Sequence, residues 1–305
     1  MAGGIYLDAT RRHDFVLLFD VADGNPNGDP DAGNMPRVDP ETMQGLVTDV
    51  AIKRKVRDWV DASCGDKQCN KIYVQSDGEA LNAIHRRAYT ALSITPTGSK
   101  QAKQDVDKTR ACMCANFYDI RMFGAVMTTG VNCGQVRGPV QLTFARSVDP
   151  IVPLDLSITR VAVTREEDAK VVVSDDGGGA TGGKRTEMGR KAIVPYGLYR
   201  AYGFYNPHFA AQTGVTEEDL RLFWQALEHM WDLDRSSSRG MMACRGLYVF
   251  SHESGLGNAP AHRLLERVRL ARREGVTAAR SFGDYGVDVE EADLTKGVTL
   301  TRLVG

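Results

Sequence analysis

Phe15 to Val60 reads FVLLFDVADGNPNGDPDAGNMPRVDPETMQGLVTDVAIKRKVRDWV. It divides into an apolar run, a loop of Gly, Pro, Asn and Asp, and a helix whose second half is basic. Phe15 to Phe19 has the length of a strand buried on both faces, and DGNPNGDP behind it is dense in residues that turn the backbone. Asp39, Pro40 and Glu41 signal a helix start: a side chain able to cap free amides, a ring suited to the first helical position, and an acid near the positive helix end. At about 100° per residue, Ile52, Val56, Trp59 and Val60 share one face, while Lys53, Arg54 and Arg57 centre on another. The apolar face belongs against a core. The other offers three cations that suit phosphates along a strand, beside a loop with backbone N–H groups, Asn amides and Arg37. A solvated helix face next to a surface loop is the plainer reading of the same residues.

The string NPNGDPDAGNMPRVDPETMQGLVTDVAIKRKVR resembles the signature of the backbone subunit of type I-C CRISPR Cascade, in the Cas-seven family of repeat-associated (RAMP) proteins. YDIRMFGAVM from Tyr118, GQVRGPVQ from Gly134, MGRKAIVPYGLYRAYGFYNP from Met188 and the segment around Met241 to Ser251 agree with it. The resemblance covers nearly the whole chain. It implies an α+β fold: a modified RRM (ferredoxin-like) palm with a helical fingers insertion and a thumb-like β-hairpin. The palm is expected over about 12–63 and 136–275, the fingers over about 64–135 and the thumb over about 165–192. The partners implied are a CRISPR RNA guide, further copies of the chain in a helical filament, other Cascade subunits, and target DNA through the guide. Neither catalysis nor a cofactor is implied.

Composition allows this without pointing to it. The 305 residues are 42% hydrophobic, enough for an ample core, and the net charge is −1 with a pI near 6.6. Any case for nucleic acid must therefore be local. The N-terminus lacks an apolar signal core and no apolar run could span a bilayer, so a cytoplasmic protein without membrane contact is expected. Cysteines at 64, 69, 112, 114, 133 and 244 form no C-x-x-C pair and no zinc-finger spacing, and read as free, mostly buried thiols.

Beyond the first helix, Ile72 to Gln75 reads as a short strand, and Glu79 to Leu92 and Gln101 to Met127 as mainly helical, with Arg110 and Arg121 as surface cations. Val136 to Arg146 alternates as one half-buried strand, Ser157 to Thr164 as another. Gly177 to Gly183 is almost all glycine, and its return arm carries Lys184, Arg185, Met188, Arg190 and Lys191. A mobile basic hairpin is expected there, with Met188 as an apolar wedge beside the cations. Ile193 to Phe204 and Met241 to Phe250 read as strands. Thr216 starts a helix with a capping-box variant, and Ala261 to Glu274 reads as a basic helix stopped by Gly275.

Three enzymatic readings compete with the binding role. Gly178 to Lys184 matches a P-loop up to its lysine, but Arg185 stands where Ser or Thr must hold Mg²⁺. Asp20, Asp23, Asp29, Asp31 and Asp39 could hold a metal for RNA cleavage, as loop aspartates do in related type III backbone subunits, and this metal-dependent ribonuclease is the main alternative. Asp also suits turns and caps in such a loop. The six histidines are scattered and join no Tyr or Lys in a processing-nuclease arrangement. The expected RNA contacts are thus Arg37, Gln44, Lys53, Arg54, Arg57, Arg137 and the hairpin's Lys184, Arg185, Met188, Arg190 and Lys191, with no catalytic or metal-binding residue.

Overall fold

The apolar run becomes the central strand β1 (His13–Gly24), buried on both faces as its sequence predicts. The computed structural model describes residues 4–75, 78–162 and 187–305. After β1 come β2 (Gly28–Asp29), β3 (Met35–Pro36), β4 (Gln44–Val47) and α1 (Asp49–Cys64). Helices α2 (Leu81–Ala91), α3 (Lys103–Asn116) and α4 (Tyr118–Phe123) precede a hairpin of β5 (Gly124–Met127) and β6 (Gly134–Arg137). Strands β7 (Val140–Leu142), β8 (Ala145–Pro150), β9 (Leu154–Arg160) and β10 (Glu187–Tyr205) lead to α5 (Pro207–Thr213) and α6 (Glu217–Leu233). The chain closes with β11 (Met241–His252), α7 (Ala261–Leu265), β12 (Val268–Arg272), β13 (Tyr285–Val289) and β14 (Val298–Val304).

The main sheet is antiparallel and runs β14-β11-β1-β10-β8-β4. Its inner order β11-β1-β10-β8, with α1 and α6 in the two crossovers, is the ferredoxin-like β-α-β-β-α-β arrangement. Because side chains alternate along a strand, Phe15, Leu17, Phe19 and Val21 face α1 and α6, and Val16 and Leu18 face the other way. Phe19 stacks on Tyr199 and Trp231, with ring centroids 5.4 and 4.8 Å away. Phe15 lies across β10 at Gly203, where an added Cβ would sit 2.0 Å from the ring.

Tyr248, Phe250, Leu264, Leu265 and Val268 cover the second face around Val16 and Leu18. The C-terminal segment therefore occupies much of the surface on which RNA-recognition motifs stack bases. A separate cluster, with Tyr73, Tyr89, Met113, Ile120 and Met127 at its centre, lies between α1 and β6 in the chain. The buried Arg121 guanidinium joins it to α6 by donating to both Asp219 oxygens, at 2.6 and 3.0 Å, and to the carbonyls of Cys114 and Cys69. Arg121 is thus a structural cation, not a surface one. Asp219 also completes the capping box at Thr216.

Several sequence expectations are corrected. Asp39 accepts from the amides of Glu41 and Thr42, as a cap would, but Met43 N–H closes a tight turn on the Asp39 carbonyl. Gln44–Val47 then pairs with β8, so the helix begins nine residues later, capped by Thr48 on the Ala51 amide at 3.2 Å. Ile72 to Gln75 is no strand; an isolated bridge joins Lys71 to Phe117. Gly138-Pro139 and Thr143-Phe144 break the expected strand 136–146 into three. β9 lies earlier than expected and is exposed along its length. Ala261 to Glu274 is one short helix followed by β12, because Val268 and Leu270 alternate against β13.

Thiols at 64, 114 and 133 are buried, those at 112 and 244 half-buried and Cys69 exposed, all unpaired. The buried histidines are built into the scaffold. His13 bonds Ser251 Oγ and the Asp8 carbonyl, and desolvation pushes its pKa down to about 4. His252 bonds Asp14, and His85 bonds Tyr73 Oη and the Val131 carbonyl. No helix among the described residues is long and apolar enough to cross a membrane.

Candidate nucleic-acid interface

The loop after β1 is a packed lobe. Asn25 N–H donates to the Ser238 carbonyl and its side-chain amide to the Asn34 carbonyl, both at 2.7 Å. Arg239 holds the carbonyls of Asn25 and Pro26, and Asn27 Oδ1 accepts from Thr48 N–H, fastening the loop to the start of α1. Gly33 and Asn34 make the left-handed turn between β2 and β3. Many amides expected to face sugar and phosphate are therefore engaged within the lobe.

On α1, the apolar face is as expected: Ile52, Val56 and Val60 are in the core and Trp59 packs against it. The cations divide. Arg54 is half-buried and pairs with Asp58 at 2.9 Å, one turn on. Lys53 pairs with Asp49 at 2.9 Å, with its ammonium 5.7 Å from the Phe123 ring centre. Arg57 is only 9% exposed and donates to Asp119 at 2.8 Å, beside the same ring. Asp119 also accepts from the amides of Tyr73 and Val74, so Arg57 is committed to joining α1 to the segment after it.

A second group surrounds edge strand β4. Arg37 pairs with Asp29 at 3.3 Å, and its carbonyl accepts from Leu46 N–H. Gln44 donates to the Ser147 carbonyl at 3.0 Å. Arg146, which is not among the contacts expected from the sequence, reaches from β8 to Asp39 at 2.7 Å and holds that carboxyl below its ordinary range. Its place in a short strand with buried Ala145 and Ser147 on either side was the available signal.

β9 and the first part of β10 pair as a two-stranded ribbon. Cross-strand partners share a face, so Leu154, Leu156 and Ile158 line one side with Ile193, and Met188 lies opposite Thr159 on the other. Met188 is exposed, Arg190 pairs with Asp155, and Lys191 lies opposite Leu156. Lys184, Arg185 and the glycine run with its P-loop-like string lie outside the described residues. Arg137 stands apart from both groups. Its guanidinium lies 4.3 Å from the Phe209 ring centre and borders a cavity of about 620 Å³ shared with Arg110, Gln135 and Gln212.

The loop aspartates do not converge. Asp20 is buried, and desolvation raises its pKa against the opposing hydrogen bonds from Tyr196 and Arg245, whereas Asp29 and Asp39 pair with Arg37 and Arg146. Asp23 and Asp31 are exposed. Among the described residues, no group of three or more His, Cys, Asp or Glu side chains could hold a metal ion.

Sheet order, crossovers and covered face define a ferredoxin-like, RRM-type module elaborated by an insertion and a protruding ribbon. Residues 11–290 match the family described as CRISPR-associated protein Cas7, and the chain belongs to that family. The CRISPR-associated protein Cas7 of Haloferax volcanii is 26% identical over 306 residues, spanning 92% of this chain and 81% of that protein. A solved "CRISPR RNA-guided surveillance complex, pre-nicking" contains a chain 16% identical, with TM-score 0.47 and 78% of each chain covered. A chain of the "Type III-B Cmr-beta bound to cognate target RNA" is 12% identical, with TM-score 0.39 and coverage of 80% and 62%.

Proposed function

We propose that this protein is the backbone subunit of a type I-C Cascade, coating the guide RNA and presenting its bases to target DNA without catalysing a reaction. The observation that carries this reading is the family match over residues 11–290. A backbone subunit must hold any spacer sequence, so its contacts go to phosphate and sugar while the Watson–Crick edges stay free. Arg54 and Lys53 on α1 are the phosphate ligands, and Arg37, Gln44 and Arg146 position the strand at the β4 edge. Arg137 adds a backbone contact. The ribbon, with Met188, Arg190 and Lys191, reaches the strand as a thumb that also contacts the next copy, and Lys184 and Arg185 precede Met188 in the sequence as further cations for the RNA. Arg57 anchors the helix carrying these contacts.

Arg37, Lys53, Arg54, Arg146 and Arg190 each pair with a nearby carboxylate, so a local RNA site is compatible with a near-neutral protein. RNA binding exchanges those pairs for phosphates, so affinity falls with salt. Lys53→Ala and Arg54→Ala should each flatten the slope of log affinity against log salt by about 0.7, the value for one single-strand phosphate contact. Fluorescence anisotropy with a labelled single-stranded RNA across a salt series measures this. Unchanged slopes for both variants would remove α1 from the interface.

A further inference from the structure

Strands β8 and β10 place two arginines directly opposite each other: Arg146 is the cross-strand partner of Arg200, in the row that continues to Leu18 on β1. This row lies on the sheet face opposite α1, since Leu18 belongs to the apolar cluster under the C-terminal segment. Side chains in such pairs start from Cβ atoms about 5 Å apart, and like charges so placed destabilise a sheet. Two intrachain contacts relieve the repulsion only in part. Arg146 swings out to Asp39, and the Arg200 guanidinium lies 5.3 Å from the Tyr202 ring centre without a side-chain hydrogen bond or ion pair to any described residue.

Around the pair, the C-terminal cover is incomplete. Val148 and Leu198, on the same face, pack with Tyr285 and Phe282, and Tyr202 leans on the Val16 cluster. Between these covered zones Arg146 is exposed, Arg200 half-buried and the Phe144 ring 52% exposed. Phe144 precedes buried Ala145 and follows Thr143, whose amide bonds the Tyr202 carbonyl. Two guanidiniums, of which only that of Arg146 has a carboxylate partner, and an exposed aromatic ring two residues before Arg146 match one nucleotide unit. A phosphate supplies the missing negative charge, and a base supplies a π-face for stacking.

We propose that Arg146, Arg200 and Phe144 form a nucleotide-binding window for single-stranded nucleic acid on the sheet face opposite α1. It continues from the β4 edge, where Arg146 meets Asp39 beside Gln44. The window rests on the RNA-coating role proposed above and adds a second surface to it. The strand is either the guide or the strand paired with it, since both present the same phosphodiester and base chemistry.

Two titrations separate these sources: RNA-free protein with a single-stranded RNA, and guide-loaded assembly with a complementary strand. Arg200→Gln and Arg146→Gln should each flatten the salt slope by about 0.7 in the arm where the window is used, and Arg86→Gln, an exposed cation on α2, should leave it unchanged. Phe144→Ser should weaken binding by about tenfold in that arm with the slope intact, because it removes stacking and no charge. Without RNA, Arg200→Gln should keep or raise the melting temperature, since it relieves the like-charge pair. Slopes unchanged in both arms for both arginine variants overturn the window whatever happens to melting, and an unchanged affinity for Phe144→Ser overturns the base contact. If wild-type protein binds no RNA, the RNA-coating role itself fails. If it binds and only the α1 variants alter the slope, the window alone falls.

Discussion

Asp219→Ala is expected to lower the unfolding free energy by roughly 3–5 kcal/mol, the cost of leaving a buried cation without its carboxylate. Arg121 and Asp219 are each about 6% exposed at the side chain, and the guanidinium is held by both carboxylate oxygens and two carbonyls. The pair joins α4 to the first turn of α6. The same carboxylate accepts from the Thr216 amide, so the substitution also removes half of the helix cap. Thr216→Ala provides the scale, since it loses the cap alone at about 1 kcal/mol. Urea unfolding of the two variants makes the comparison. Equal losses would show that the ion pair contributes nothing beyond the cap.

Arg57→Ala separates two readings of one residue. The helical wheel groups Arg57 with Lys53 and Arg54, and as a phosphate ligand its loss would flatten the salt slope with little effect on stability. The structure buries it against Asp119, whose other partners are the amides of Tyr73 and Val74. Removing Arg57 leaves that carboxylate without its cation, so destabilisation of roughly 3 kcal/mol is expected with the slope unchanged. Asp119→Ala should destabilise by at least as much, because it strands the guanidinium and both amides. Thermal melting and the RNA salt series on the same protein samples decide the matter. A flattened slope with wild-type melting would return Arg57 to the interface.

Arg57 also marks what the sequence could disclose. Periodicity placed it correctly on the helix, and FVLLF correctly announced a strand buried on both faces, because both signals are local. What covers a helix face is a tertiary fact. Asp119 lies 62 residues away from Arg57, and Asp219 lies 98 from Arg121. Nothing in KRKVR distinguishes a cation facing solvent from one facing a distant carboxylate. The start of α1 departs from its sequence signal for a related reason. Asp39-Pro40 carries genuine capping chemistry, and Asp39 does bind the next amides, but pairing of Gln44–Val47 with β8 overrides the local preference. Ala261 to Glu274 shows the same competition, with β13 as the partner. Arg146 was legible as a polar position in a strand but not as a neighbour of Arg200, since that contact depends on register.

The central claim is that copies of this chain assemble side by side on RNA. If the edge cations of one copy and the ribbon cations of the next exchange their carboxylates for phosphates of the same RNA, the polyanion favours their association. Titration of single-stranded RNAs of increasing length, followed by mass photometry or native mass spectrometry, tests this most directly. Cooperative binding is expected, with complexes growing in discrete steps of one subunit as the RNA lengthens. One subunit per RNA at every length, with affinity independent of length, would contradict it.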